Sequence, residues 1–312
     1  MGEVVMSMKK GTRIGERYEI DRPLSNNGGT ASVYLGNLIE DSKVKVAIKL
    51  SKTDPENKTH EDDLLIREAE LIQQADWRHP GIVRLYPVPL NGRESTYFLK
   101  ALNVPGQPYY VVMEYLEGLS MAENLTKIRK FPLDWKLELF YRLAVTVSFI
   151  HQKGYGHRDI KPDNIMFRKP ITENTSPEPV LIDFALCSNG NEGSNIVDSS
   201  YTLEYAAPER VLKNMYDNFP NYPREADIWS LGVILYEIIT GELLFKGNHQ
   251  RIRTTLINEN INILRGDQQL PELIKQFIEG MLSRKPMRRP SINKVLFAFE
   301  DIFLPPRLCL AM

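Results

Sequence analysis

The chain has 312 residues, 42% hydrophobic and 25% charged, a composition of folded globular proteins rather than disordered ones. A net charge of -1 gives no electrostatic case for nucleic acid or a membrane surface as the main partner. Two cysteines, Cys187 and Cys309, are too few for a disulfide framework and read as reduced thiols of a cytoplasmic protein. No apolar run is long enough for a membrane span, the N-terminus lacks a signal-peptide core, and Met6 breaks the myristoylation pattern that Gly2 would open. The apolar tail from Phe303 to Met312 reads either as a disordered stub or as the cut edge of a longer protein.

Residues 1–12 read as a flexible lead-in, and from Tyr18 short alternating runs predict antiparallel strands. Between two of these, Leu24 to Tyr34 carries Asn26, Gly28, Gly29 and Ala31, small residues past which backbone N–H groups can approach a phosphate. Alone, the same stretch would also serve as a plain hairpin turn. Val44–Leu50 is an apolar strand that contains Lys49. A buried ammonium there needs a partner, unless the strand is an edge and the lysine reaches solvent. A helix is predicted over Glu61–Ala75, with Leu64, Leu65, Ala69, Leu71 and Ile72 as its apolar face. Strands are predicted at Ile82–Leu85 and Tyr109–Glu114, and residues 87–108 between them read as an exposed excursion. Met113–Gly118 marks a change to helical periodicity. Asp134 reads as the N-cap of a helix running to about Gln152, with Gly154 as its stop. A polar loop over 169–179 precedes the strand Val180–Ile182, and a serine-rich loop covers 186–206. Asp227 opens an apolar helix to about Thr240–Gly241, and amphipathic helices near Glu272–Leu282 and Ile292–Phe303 close the chain.

The densest chemistry lies in His157-Arg158-Asp159-Ile160-Lys161-Pro162-Asp163-Asn164, between the apolar runs Leu143–Ile150 and Ile165–Phe167. Asp159 can accept a proton from a hydroxyl, Lys161 can neutralise a phosphate oxygen, and Asn164 can hold a metal ion through its carbonyl. That is equipment for phosphoryl transfer, where positioning and charge neutralisation do most of the catalysis. In a shorter fragment the same residues would read as a solvated turn. Asp183, at a strand end beside a polar loop, suits Mg²⁺, which takes few protein oxygens together with phosphate and water.

The octapeptide resembles the catalytic loop of eukaryotic-type protein kinases, and Lys161 stands where the serine/threonine branch carries lysine. The family's other motifs follow in order. In the glycine-rich loop Val33 fixes the register, so Gly28 matches the middle glycine while Asn26 and Ala31 stand for the first and third. Val46-Ala47-Ile48-Lys49 resembles the motif whose lysine holds the α- and β-phosphates and pairs with a helix glutamate. Family spacing to His79-Pro80 points to Glu70 as that glutamate, whereas the apolar face points to Glu68. Helix phase favours Glu68 and implies a short insertion around Ala75-Asp76-Trp77. By the same resemblance Met113 walls the adenine pocket, the backbone of Glu114 and Leu116 bonds the base, and Val33, Ala47 and Met166 face the ring. Asp183-Phe184-Ala185 stands for Asp-Phe-Gly; the added Cβ costs about 1–2 kcal/mol wherever left-handed φ is required and is expected to bias a flip of this segment. Residues 186–206 stand for the activation segment, closing at Ala207-Pro208-Glu209. Ser199 and Ser200 are its phosphosite candidates, opposite Arg158, and Thr202 is the residue that contacts Asp159 and Lys161. Asp227 would bond the catalytic-loop backbone, and Arg289 would pair with Glu209.

The resemblance implies an α+β, bilobal protein-kinase-like fold: a small antiparallel β lobe with one main helix, and a larger, mostly helical lobe. Its boundaries are a lead-in over 1–12, a kinase domain over 13–304 (small lobe about 13–113, hinge 114–118, large lobe 119–304) and a tail over 305–312. It implies a bacterial-like serine/threonine protein kinase that uses ATP and Mg²⁺. Asp159 and Lys161 would be catalytic, Lys49 held by Glu68, and Asn164 and Asp183 on the metal. The partners implied are a protein with a serine or threonine acceptor, and a second copy where autophosphorylation is the route to activation. Neither nucleic acid nor a membrane segment in this chain is implied. Two rivals stand beside this reading. A pseudokinase or weakly active nucleotide-binding scaffold is supported by Asn26, Ala31 and Ala185 and opposed by Lys49, Asp159, Asn164 and Asp183. A small-molecule kinase of related fold is opposed by the Ala207–Glu209 segment and the Asp227 helix.

Overall fold

In the computed structural model, which describes residues 8–25, 31–52, 60–74, 77–91, 94–190, 202–211, 222–257 and 270–302, the alternating runs after Thr12 become strands. These are β1 (Arg13–Ile14), β2 (Tyr18–Ser25), β3 (Ala31–Leu38) and β4 (Lys45–Ser51); α1 (His60–Gln74) follows, then β5 (Leu85–Tyr86), β6 (Val88–Asn91), β7 (Glu94–Thr96), β8 (Leu99–Lys100) and β9 (Tyr109–Glu114). The main sheet runs β1-β2-β3-β4-β9-β5 with β8 on β9, all antiparallel, and β6 and β7 form a separate ribbon.

Strand periodicity gives this sheet two different faces. Tyr34, Val46, Ile48, Leu50, Tyr110 and Val112 belong to one apolar cluster with Ile14, Tyr18 and Ile20. Val88, Ala101 and Val104 complete that cluster. So the exposed excursion expected over residues 87–108 holds for most of the described positions, Leu90 and Leu102 among them, but not for these anchors. The segment folds into short strands and buries the three sparse apolar anchors over the sheet. The lead-in also ends earlier than residue 12. Met8 packs on the same cluster, and Gly11 N–H and Thr12 C=O hydrogen-bond Ile20. The strand expected at Ile82–Leu85 is confined to Leu85–Tyr86.

The second half of the chain forms α2 (Met121–Ile128), α3 (Leu133–Gln152), the ribbon β10 (Ile165–Phe167) and β11 (Pro179–Leu181), then α4 (Pro208–Val211), α5 (Pro223–Thr240), α6 (His249–Ile257), α7 (Glu272–Met281) and α8 (Ile292–Ile302). Helix α5 is buried almost all round, as its unbroken apolar run requires, and α3 and α7 pack against it. It opens at Pro223 rather than Asp227, with proline in the first turn, and stops at Gly241 in left-handed conformation (φ +71°). Phe299 of α8 meets Phe140 at 4.9 Å and Phe277 at 5.6 Å. Asp134 is not the N-cap of α3. Pro132 holds that position, and Asp134 lies in the first turn, accepting the Trp135 N–H at 2.9 Å.

The chain divides into two compact units, Met1–Arg78 with Ile82–Leu116, and His79–Gly81 with Glu117–Met312. The division falls between Leu116 and Glu117. His79–Gly81, expected with the small lobe, group with the second unit for three reasons. His79 stacks on Phe149 at 5.0 Å, Arg168 donates to the Pro80 carbonyl, and Leu181 N–H donates to the Gly81 carbonyl. Among the described residues no helix is long and apolar enough to cross a membrane.

Candidate active site

In the first unit the motif residues lie on one face of the sheet. In the β3–β4–β9 register Val33 lies opposite Lys49, Ala31 opposite Ser51, and Ala47 opposite Met113. Cross-strand partners share a face, so Ala31, Val33, Ala47, Lys49, Ser51 and Met113 all point away from the apolar cluster, toward the side covered by α1. There Lys49 Nζ lies 2.6 Å from Glu68 Oε2, with Lys49 8% and Glu68 4% exposed. Glu70 is exposed. At the end of β9 the Glu114 N–H is donated to the Arg84 carbonyl and its side chain accepts the Arg84 N–H. Leu116 is buried. Asn26 and Gly28 lie outside the described residues.

The octapeptide lies in the second unit. Helix α3 gives way to Gly154 (φ +87°), and Gly156 pairs with Ser188 through both backbone bonds. A Cβ on Gly156 would fall 2.4 Å from the Pro223 backbone, so only glycine fits there. Asp227, fully buried on α5, then holds the loop: its carboxylate accepts His157 N–H at 2.8 Å and Arg158 N–H at 2.7 Å. These two bonds hold Arg158 in its left-handed turn (φ +69°). The turn presents Asp159, whose Oδ2 lies 2.8 Å from Lys161 Nζ and 2.8 Å from Asn164 Nδ2. Asn164 Nδ2 also donates to the Asp159 carbonyl at 2.9 Å. Ile182 N–H donates to the Asn164 carbonyl, extending the β10–β11 ribbon by one step, so Asp183 sits at the ribbon end beside the loop. Met166, half-buried on β10, pairs with Val180 and bridges to Ser120.

The protein kinase domain family matches residues 22–298. The chain belongs to the protein kinase family. Among similar proteins, the human "SNF-related serine/threonine-protein kinase" is 28% identical over 290 residues, covering 91% of this chain and 33% of its own. "CBL-interacting protein kinase 10" of Oryza sativa subsp. japonica is 28% identical over 300 residues, covering 93% of this chain and 58% of its own. The chain thus spans less than two thirds of the length of these curated relatives.

Several kinase parts differ from what the motifs imply. Among the described residues, non-glycine left-handed φ occurs at Gln107, Leu119, Arg158 and Asp183 (φ +63°), and not at Ala185. The left-handed backbone falls on Asp183, ahead of the turn at Ala185–Leu186 that the Cys187 N–H closes on the Phe184 carbonyl, and the Ala185 Cβ is simply buried. Thr202 does not hydrogen-bond Asp159 or Lys161, which pair with each other; its carbonyl instead accepts the Tyr205 and Ala206 N–H groups. Ser199 and Ser200 lie outside the described residues.

The kinase domain also uses groups that motif reading passed over. His151 Nε2 lies 2.9 Å from Asp227 Oδ2. An Arg210 guanidinium N–H donates to the Arg158 carbonyl. Tyr205 donates its hydroxyl to Glu237 at 2.7 Å, and burial pushes both the phenol and the carboxyl above their ordinary pKa values. Glu237 inside the apolar run of α5 was the available signal, since a buried carboxylate demands a donor.

No cluster of three or more His, Cys, Asp or Glu side chains arranged for a metal occurs among the described residues. The residues present still fit Mg²⁺. Asn164 spends both Nδ2 hydrogens on Asp159, which leaves its amide oxygen as a candidate ligand, and the Asp183 carboxylate at the ribbon end is the second oxygen donor.

Proposed function

We propose that the chain phosphorylates serine or threonine hydroxyls of proteins with ATP and Mg²⁺. The observation that carries the reading is Asp159, held at 2.8 Å by both Lys161 and Asn164 on a loop tied to buried Asp227. Asp159 orients the acceptor hydroxyl and takes its proton. Lys161 is within reach to trade Asp159 for the transferring phosphoryl group. Lys49, fixed by Glu68, grips the α- and β-phosphates. Mg²⁺ held by Asn164 and Asp183 would neutralise charge on the β- and γ-phosphates. Val33, Ala47, Met113 and Met166 face the adenine, with Asn26, Gly28 and Ala31 in the loop over the phosphates. The Glu114 N–H is already donated to Arg84, so base recognition at the hinge falls to the Leu116 backbone and the Glu114 carbonyl.

Phosphate on Ser199 or Ser200, set by a second copy, would order the activation segment near Arg158. A cytoplasmic location accords with the buried free thiol of Cys187. A scaffold with little transfer is the second reading, favoured by Asn26, Ala31 and Ala185 where the family carries glycine. Purified protein with γ-labelled ATP, Mg²⁺ and a serine/threonine peptide library separates the two. Labelled phosphoserine or phosphothreonine supports transfer, and nucleotide binding without label supports the scaffold.

A further inference from the structure

Lys49 and Ser51 are two apart on β4 and so share the face covered by α1. Lys49 meets Glu68 in the middle of the helix. Ser51 meets Asp62 in its first turn: Ser51 Oγ donates to Asp62 Oδ1 at 2.5 Å, and Asp62 is 3% and Ser51 5% exposed. The same hydroxyl oxygen accepts the Tyr109 N–H at 3.0 Å, where β9 begins opposite the end of β4. One buried hydroxyl thus joins two strand ends to the start of α1.

A buried carboxylate in a first turn is not needed to make a helix. Glu61 and Asp63 already supply first-turn charge from more exposed positions. Asp62 instead faces the sheet, six residues before Glu68. A rigid helix pinned only at Glu68 can still pivot about that point; a second pin removes the pivot. We propose that Ser51 and Asp62 are positioning residues, a latch that fixes the angle of α1 and so keeps Glu68 on Lys49 without nucleotide. Tyr109 extends the latch outward. Its ring packs on Lys100 at 5.1 Å and Phe98 at 6.2 Å, so the folded 87–108 segment bears on the same strand end. The inference rests on the kinase reading for its catalytic consequence, but not for its geometry.

The test compares wild type, Ser51→Ala, Asp62→Ala, the double variant and Ser51→Thr, which keeps the hydroxyl. Three readouts are taken: fluorescent ATP-analogue binding, phosphoryl transfer, and hydrogen exchange of the 60–74 amides. Ser51→Ala should weaken analogue binding and transfer about tenfold and speed exchange in the first turns of α1. Ser51→Thr should restore both. Adding Ser51→Ala to Asp62→Ala should cost clearly less than Ser51→Ala does alone, since only the bond from the Tyr109 N–H is then left to lose. Additive losses, or lower melting temperature with unchanged binding and unchanged α1 exchange, would overturn the latch. If wild type transfers no phosphoryl group, the kinase reading fails, while binding and exchange still decide the latch.

Discussion

Arg289 grips Glu209 with two parallel hydrogen bonds, 2.6 Å from Nη1 and 2.7 Å from Nη2. The guanidinium is fully buried, lies 5.2 Å over Trp229, and also donates to the Ser283 and Glu225 carbonyls. One side chain therefore ties α4, the start of α5 and the turn before α8. Truncation would leave a largely buried carboxylate with no cation, and breaking such a pair costs about 3–5 kcal/mol. Arg289→Ala should lose that much in denaturant unfolding. Arg289→Lys should recover only part, because an ammonium cannot reproduce the fork. Losses under about 1 kcal/mol for both variants would show that the clamp is not structural.

His79 gives the second unit a pH dependence. Burial lowers its pKa from the ordinary 6.5, and its Nδ1 accepts the Gly81 N–H at 3.0 Å, which requires the neutral ring. Below about pH 6.5 the unfolded chain then binds more protons than the folded one. The contribution of His79 is present above that pH and lost as pH falls through it toward the lowered folded value. Urea unfolding should show wild type losing stability between about pH 7.5 and 5.5, and His79→Asn losing less. Parallel curves would contradict the assignment.

Ala185→Gly separates two accounts of the Asp-Phe-Ala segment. Left-handed backbone at Ala185 would make glycine stabilising, but here Asp183 takes that conformation. Glycine at 185 then only removes a buried methyl and frees the unfolded chain, costing about 1 kcal/mol. Chemical denaturation should show this loss. A gain in stability would mean that another state, with Ala185 strained, dominates in solution.

Much of the site was legible because its chemistry is local. Asp159, Lys161 and Asn164 fall within six residues, so their proximity is local, although distant Asp227 holds the turn that presents Asp159. Helix phase put Glu68 rather than Glu70 on the apolar face of α1, and the Lys49–Glu68 pair lies on that face. What sequence patterns could not convey was cover. Val88 stands far from the Ala101 and Val104 pair, so the three show no sustained strand or helix period, yet each is buried over the sheet. The Ser51–Asp62 contact joins two ordinary polar residues from different elements, and neither carries a motif. Ala185 misled for another reason: a motif position is tied to a conformation in one state, while the backbone here places the strained φ two residues earlier.

The central claim is that Asp159 takes the proton in phosphoryl transfer, and Asp159→Asn tests it most directly. The substitution keeps the shape and the hydrogen-bond acceptor but removes the base. Transfer from ATP to a peptide hydroxyl is measured for both proteins alongside ATP affinity. The account predicts a fall in kcat of about 10²–10⁴ with nearly unchanged nucleotide affinity. Transfer at the wild-type rate by Asp159→Asn would contradict it.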